Sequence, residues 1–438
     1  GNVDAALKFF RTYKGHLIKM MGYKQSLADP CVFYKKNDNG QTLLFALIHV
    51  DDSLLIGTKE EIKNFKAGIK KRFGYTDLGK LKKHLGVWYE EKFDQKGERY
   101  LEATMPELVD DIIKLYEKHF GKSVKEYDTP GTPGECTEKH TGEALEHEMY
   151  RKLTGKIMYL VTKILIEGSN AARELARQFG NPNDAHWDEL GRFVGYLKRH
   201  REVVKLTYRK PRDLRVLSNV DSNYATDKET RRSVSGAIHT IGGTIVNWMS
   251  KTQQSVTLSS TEAEYVSLAT GACECKFIQQ LLDEIAFCTT PGILLEDNTG
   301  AIYLVKNQQV GQRTKHIDVR WHFIRELYEA GKIAVKFVRS EKNEADINTK
   351  NVSVKLLDVL AKNVREGNLF ARQNWDEIVN EIDSQSVLLV HALVQREDVE
   401  IWIRDCEESR TGESQSVRRV CGTDADDTHV GTMTYHVE

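Results

Sequence analysis

The chain has 438 residues, enough for two or three domains with sizeable cores. Its 63 Lys and Arg balance 64 Asp and Glu, so net charge announces no polyanion binder, and no apolar run approaches the roughly 18 residues of a membrane span. Seven cysteines, odd in number and without a CxxC pair, speak against a disulfide framework or a zinc site and read as reduced, intracellular thiols. The opening GNVDAALKFF has neither a methionine nor a signal-peptide pattern. The expectation is a piece of a longer, non-secreted protein.

Residues 1 to 36 begin with an amphipathic helix and, after the Asp29–Pro30 break, a short strand from Cys31 to Tyr34. The apolar runs LLFALIHV and SLLIG follow, separated by Asp51 and Asp52, which predicts a hairpin with two acids at its tip. An ordinary turn accounts for such a pair. It is also how right-hand polymerases present palm carboxylates to two metal ions. Residues 59 to 84 carry nine Lys or Arg against three acids, a balance of +6. A solvated helix face explains that run as readily as contact with a phosphate backbone, for which Lys70, Lys71 and Arg72 are the candidates. Phe73, Tyr75 and Trp88 nearby suit a core, or contact with sugars.

The turn-rich TPGTPGECTEKHTGE reads as a linker, and residues 150 to 210 as amphipathic helices. Next come two strand-like runs that end in acids, LRVLSNVD at Asp221 and ILLED at Asp297. Open α/β sheets place ligand groups at such strand ends. Between them lies the strongest helix signal, TLSSTEAEYVSLATGACECKFIQQLLDEI, with Ser259 and Glu262 at capping-box spacing. Glu262 and Glu264 fall about 200° apart on the helical wheel, so both cannot face one site. The cap accounts for Glu262 and leaves Glu264 free. With Asp346 in SEKNEADINTK, the acids Asp221, Glu264 and Asp297 form a possible Mg²⁺ cage of hard oxygen ligands. Solvated acids at element ends are the plain alternative. Arg231 and Arg232 precede a strand, while Lys315 and His316 precede a helix. His316 suits a capping or packing role, or proton transfer if metals are near, and Asp318 fits a helix dipole rather than the metal set. Residues 396 to 438 hold eleven acids and five arginines without a lysine. VEIWI within it and SVLLVHALV just before it suit short strands, with disorder toward the end.

The segment from VDSNYATDKETRRSVSG through TLSSTEAEYVSLATGACE, EDNTGAIYLVKNQQVGQRTKHIDVRWHFIRE and SEKNEADINTK resembles the ribonuclease H domain of copia-type retrotransposon polyproteins. IHVDDSLLIG, FGYTDLGKLKKHLGVWYE, YLEATMPELVDDIIKLY and YRKLTGKIMYLVTKI resemble the palm and following parts of the family's reverse transcriptase. The resemblance implies an α/β (α+β) chain in four parts. These are a truncated palm and thumb-like part at 1–125, a linker and helical connection at 126–210, a ribonuclease H-like five-stranded mixed sheet with flanking helices at 211–355, and a tail of unknown role at 356–438.

By the same resemblance Asp221, Glu264, Asp297 and Asp346 match the family's four metal-binding acids, and Asp51 and Asp52 its paired palm aspartates. Glu264 is preferred to Glu262 because Tyr265, a large apolar residue, follows it directly. The basic pairs at 231–232 and 315–316 match substrate-holding positions. His49 stands where the family usually has an aromatic, and nothing in residues 1 to 40 matches its first palm aspartate. The implied activity is cleavage of the RNA strand of RNA–DNA hybrids with two Mg²⁺ or Mn²⁺ ions per site, inside the cell, acting on hybrid or template-primer. A non-catalytic remnant that only binds nucleic acid or a protein is the rival reading.

Overall fold

The computed structural model describes residues 4–138, 147–286, 290–307 and 323–367, together with the backbone of 399–407. They fall into two compact units. One holds residues 4–85, 277–286 and 399–407, and the other the remaining described residues.

The N-terminal unit starts with α1 (Ala5–Lys19), the short β1 (Lys24–Gln25), and the antiparallel run β2 (Val32–Lys36), β3 (Thr42–His49) and β4 (Asp52–Thr58). Alternate residues of β3 (Leu44, Ala46 and Ile48) are buried, as the period-2 pattern of a one-sided strand requires. They pack against Tyr13 and Leu17 of α1 and against Ile62, Phe65 and Ile69 of α2 (Lys59–Lys70). Thr58 caps α2 by accepting from the Glu61 amide at 3.2 Å. After α2 come β5 (Gly74–Lys80) and the two-residue β6 (Lys83–His84).

The second unit begins with β7 (Val87–Phe93) and β8 (Arg99–Thr104), which form an antiparallel sheet with β9 (Lys205–Arg209). Between them in sequence run α3 (Pro106–Phe120), α4 (His147–Val161), α5 (Ser169–Ala176) and α6 (Asp184–Arg199). A mixed sheet follows, made of β10 (Val216–Asn223), β11 (Val234–Ile241), β12 (Thr244–Thr252), β13 (Gly292–Glu296) and β14 (Ile333–Phe337), in the order β12-β11-β10-β13-β14. β11 is antiparallel to both of its neighbours, while β10, β13 and β14 run parallel. Helix α7 (Ser260–Ala286) makes the crossover from β12 to β13, and α8 (Thr299–Lys306) and α9 (Phe323–Glu329) lie between β13 and β14. The chain then forms α10 (Asp346–Thr349) and α11 (Val354–Arg365). This is the five-stranded mixed sheet with flanking helices that the resemblance implies.

β10 and β13 are buried along almost their whole length, as parallel strands covered on both faces must be. Leu217 of β10 packs in a cluster with α3, α4, α6 and α11. Val220, on the opposite face, packs with Tyr265, Leu268 and Ala272 of α7. The last strand, β15 (Val399–Glu407), belongs to the N-terminal unit and pairs with both β4 and β5. No helix among the described residues is long and apolar enough to cross a membrane.

Two glycines set the distances around β10. A Cβ on Gly271 would come within 2.9 Å of Val220 Cγ2, so its absence lets α7 lie close to the central strand. Gly236, directly opposite Asp221 in the ladder, leaves room for α10, because a Cβ there would meet Thr349 Cγ2 at 2.5 Å and Asn348 Cβ at 3.0 Å. Gly236→Ala should therefore lower the unfolding free energy by about 1–3 kcal/mol, the scale of overpacking a tight interior. Urea denaturation checks this. An unchanged midpoint would mean that α10 yields without cost.

Candidate metal centre

The acids of the second unit gather at the C-terminal ends of β10 and β13. Asp221 lies near the end of β10 and is 1% exposed. Asp297 follows β13 directly. Glu264 projects from the first turns of α7 and is 7% exposed. One carboxylate oxygen from each of Asp221, Glu264 and Asp297 lies within 4.8 Å of the others.

The local structure that aims these side chains is well defined. Ser259 Oγ accepts from the Glu262 amide at 3.1 Å, and the Glu262 carboxylate accepts from the Leu258 amide at 2.7 Å. Glu262 is thus spent on the helix start, while Glu264 turns to the other acids. Ser267, one turn further along α7, donates its hydroxyl to the Asp221 carbonyl at 2.6 Å and pins helix to strand.

Asp346 enters through α10. Asn343 Nδ2 donates to the Val220 carbonyl at 2.8 Å, and Asn348 Nδ2 to the Ala237 carbonyl at 3.0 Å, so the segment is tied to both central strands. Asn223 Nδ2 donates to the Thr349 carbonyl at 3.2 Å, and the Thr349 hydroxyl donates to Asp221 Oδ2. Lys350 Nζ lies 2.5 Å from Asp346 Oδ1 and 3.4 Å from Asp221 Oδ2, and so joins the two carboxylates.

Burial of like charges dominates the electrostatics. Burial, reinforced by Asp221 and Asp297, pushes the Glu264 carboxyl up to about 9. Asp221 is pushed up to about 7, again mainly by burial, with Lys350 acting in the opposite direction. Burial works against the Lys350 charge, but Asp221 and Asp346 outweigh it and hold the ammonium above its usual range.

Two participants were not singled out from the sequence. Glu296, fully buried beside Asp297, accepts from the Asn298 amide at 3.0 Å and is raised well above the usual carboxylate range, chiefly by burial and then by Glu264. Nothing in LLED marks which of two adjacent acids faces inward. Lys350 does leave a signal, since it stands four residues after Asp346, the spacing of a helical ion pair.

The donor set fits a hard divalent cation. It consists of carboxylate oxygens alone, and Glu264 Oε2 is buried without a hydrogen-bond partner.

The remaining candidates are spread more widely. Arg231 and Arg232 are exposed on the loop that leaves the Asp221 end of β10. That loop is shaped by Asp227, whose carbonyl accepts from the Arg231 amide at 2.8 Å and whose carboxylate accepts from Arg177 at 2.7 Å. Lys315 and His316 lie outside the described residues. In the N-terminal unit, Lys70, Lys71 and Arg72 are exposed at the end of α2. Lys59, Lys63, Lys66 and Lys70 line an open cavity of about 500 Å³ with Tyr75. Asp51 is exposed in the two-residue turn between β3 and β4, and Asp52 pairs with His49 at the start of β4. Val50 adopts φ 56 there, a strained conformation for a β-branched residue.

An α/β sheet thus presents clustered, largely buried carboxylates at the ends of its central strands, a donor set of the kind that suits a metal ion. No protein-family model matches the chain. It is 27% identical over 343 residues to the retrovirus-related Pol polyprotein from transposon TNT 1-94 of Nicotiana tabacum, covering 76% of this chain and 25% of that protein. It is 30% identical over 340 residues to that from transposon RE1 of Arabidopsis thaliana, covering 76% and 22%. Among solved structures, an N-terminal RNase H domain from Mycobacterium tuberculosis, fused to maltose-binding protein, aligns with 34% of this chain and 97% of that chain, at 15% identity and a TM-score of 0.23. Over about three quarters of its length the chain is thus similar to retrovirus-related Pol polyproteins of copia-type transposons. It spans about a quarter of the length of these relatives.

Two outcomes follow for the centre. Glu262→Ala should cost about 0.5–2 kcal/mol through the lost cap, whereas Glu264→Gln should not lower stability, because it removes a buried carboxyl that resists ionisation. Reversed results in thermal or urea unfolding would exchange their roles. The second outcome concerns pH. The folded pKa values of Asp221 and Glu264 lie above their unfolded values of about 4, so the metal-free folded chain binds more protons than the unfolded one. Stability should fall as pH rises from about 4 toward 9. Glu264→Gln should flatten the upper part of that fall, as urea midpoints across pH would reveal.

Proposed function

We propose that residues 211 to 355 are a ribonuclease H-type domain that hydrolyses the RNA strand of RNA–DNA hybrids with Mg²⁺ or Mn²⁺. The observation that carries this reading is the convergence of Asp221, Glu264 and Asp297 within 4.8 Å, with Asp346 tied to Asp221 through Lys350. These four acids would hold two ions, which would supply charge opposite the phosphodiester and acidify the attacking water.

The chain's own groups position and balance charge. Thr349 orients Asp221 through its hydroxyl. Lys350 keeps Asp221 and Asp346 together and offsets part of their repulsion. Arg231 and Arg232, with Lys315 and His316, would hold the hybrid's backbone, while in the N-terminal unit, taken by itself, the basic end of α2 (Lys70, Lys71, Arg72) would contact the phosphates of a template-primer. On this reading residues 1–125 are palm and thumb-like, 126–210 a linker and helical connection, and 356–438 a tail.

The full chain with Mg²⁺ or Mn²⁺ should cleave the RNA strand of a labelled hybrid. Asp221→Asn and Glu264→Gln should each reduce cleavage by more than the roughly 10–100-fold typical of changes outside the ligand sphere. A folded, metal-loaded chain that leaves hybrids intact would remove the enzyme reading. Polymerase activity is expected to be absent, because two-metal nucleotidyl transfer needs carboxylates on both sides of the ion pair. Asp51 and Asp52 come from a single hairpin. Primer extension that Asp51→Asn abolishes would overturn this.

A further inference from the structure

The N-terminal sheet contains a slot one strand wide. β4 leads through α2 into β5, yet β4 and β5 are not neighbours, and the sheet order is β3-β4-β15-β5. β15 runs antiparallel to both, so β4 and β5 are parallel to each other and separated by one strand's width. A strand in that place satisfies the backbone groups on both inner edges, and β15 does so antiparallel to each. Without it, each edge would carry a row of unpaired N–H and C=O groups, one of them on a strand whose alternate residues are buried.

We propose that residues 399–407 serve as the closing strand of this slot, supplied in cis by the chain's own tail, and that the slot is a strand-acceptor site. The idea goes beyond the nuclease reading and does not depend on it. Three observations carry it. The ladder with β4 runs without a break from Val399 opposite Thr58 to Asp405 opposite Asp52. A second ladder ties Trp402 to Lys80 and then Arg404 through Glu407 to Asp77 through Gly74, with a register shift after Trp402. The sequence VEIWI is rich in the β-branched and aromatic types that strands favour.

The closing strand comes from more than 300 positions away in sequence. Contacts that distant form late, so the slot should stay open during folding until the tail arrives. An open slot is where a strand from a second copy would enter.

The test uses the full chain and its native Cys406, which stands opposite Tyr75. Directly opposed residues of an antiparallel pair lie within the Cα separation that a disulfide spans. Under mild oxidation, Tyr75→Cys should link to Cys406 within one molecule in most of the sample, as peptide mapping and a non-reducing gel would show. Asp38→Cys, exposed in the β2–β3 turn, should not link to Cys406. A disulfide that joins two chains would overturn supply in cis, and failure to link at all would overturn the slot's occupant. As a second readout, Ile401→Pro puts a residue without a backbone N–H into the middle of β15, where strands reject proline. Amide-exchange protection of β4 and β5 should then fall while that of β10–β14 stays unchanged. Retained protection in β4 and β5 would overturn the proposal.

Discussion

Carboxylates resist being brought together away from water, and the second unit is arranged around that resistance. Asp221, Glu264 and Glu296 are buried and are pushed toward their neutral forms. Such a group of acids is a poor core. It persists because the surrounding elements leave it no way to relax. The central strand is buried on both faces, α7 is fastened to it through Ser267, and the segment that carries α10 is fastened to it through Asn343 and to β11 through Asn348. Lys350 contributes the nearest positive charge, shared between Asp221 and Asp346.

The same constraint explains the close packing nearby. Gly236 and Gly271 let α10 and α7 approach β11 and β10, and this approach carries their acids to Asp221. The strand order matters as well. β10 and β13 are parallel neighbours, so their C-terminal ends lie side by side and deliver Asp221 and Asp297 to one edge of the sheet. A site of fixed charge on rigid elements suits a ligand whose own charge must be matched closely.

Much of this was legible in the sequence where local rules apply. Capping-box spacing and the helical wheel separated Glu262 from Glu264, and in the structure the first accepts from the Leu258 amide while the second faces Asp221. The apolar run LLFALIHV marked β3, and the two acids between it and SLLIG do stand at a hairpin tip. Legibility ended where long-range packing decides. Glu296 and Asp297 are adjacent and chemically alike, and only the pleat of β13 determines which one is fully buried. Lys350 had a readable spacing, but its partner Asp221 lies 129 positions earlier in the sequence. VEIWI read as a strand, yet no local pattern could assign it to the gap between β4 and β5.

If the acid cluster is built to take a divalent cation, calorimetric titration of the metal-free full chain with Mg²⁺ should show it. Buried carboxyls that are partly protonated at pH 7 must lose protons when a cation binds. Binding should be saturable and accompanied by net proton release, measured as a heat that varies with the buffer's ionisation enthalpy. In Glu264→Gln both binding and release should be diminished. Binding without proton release, or equal release in wild type and variant, would contradict the account.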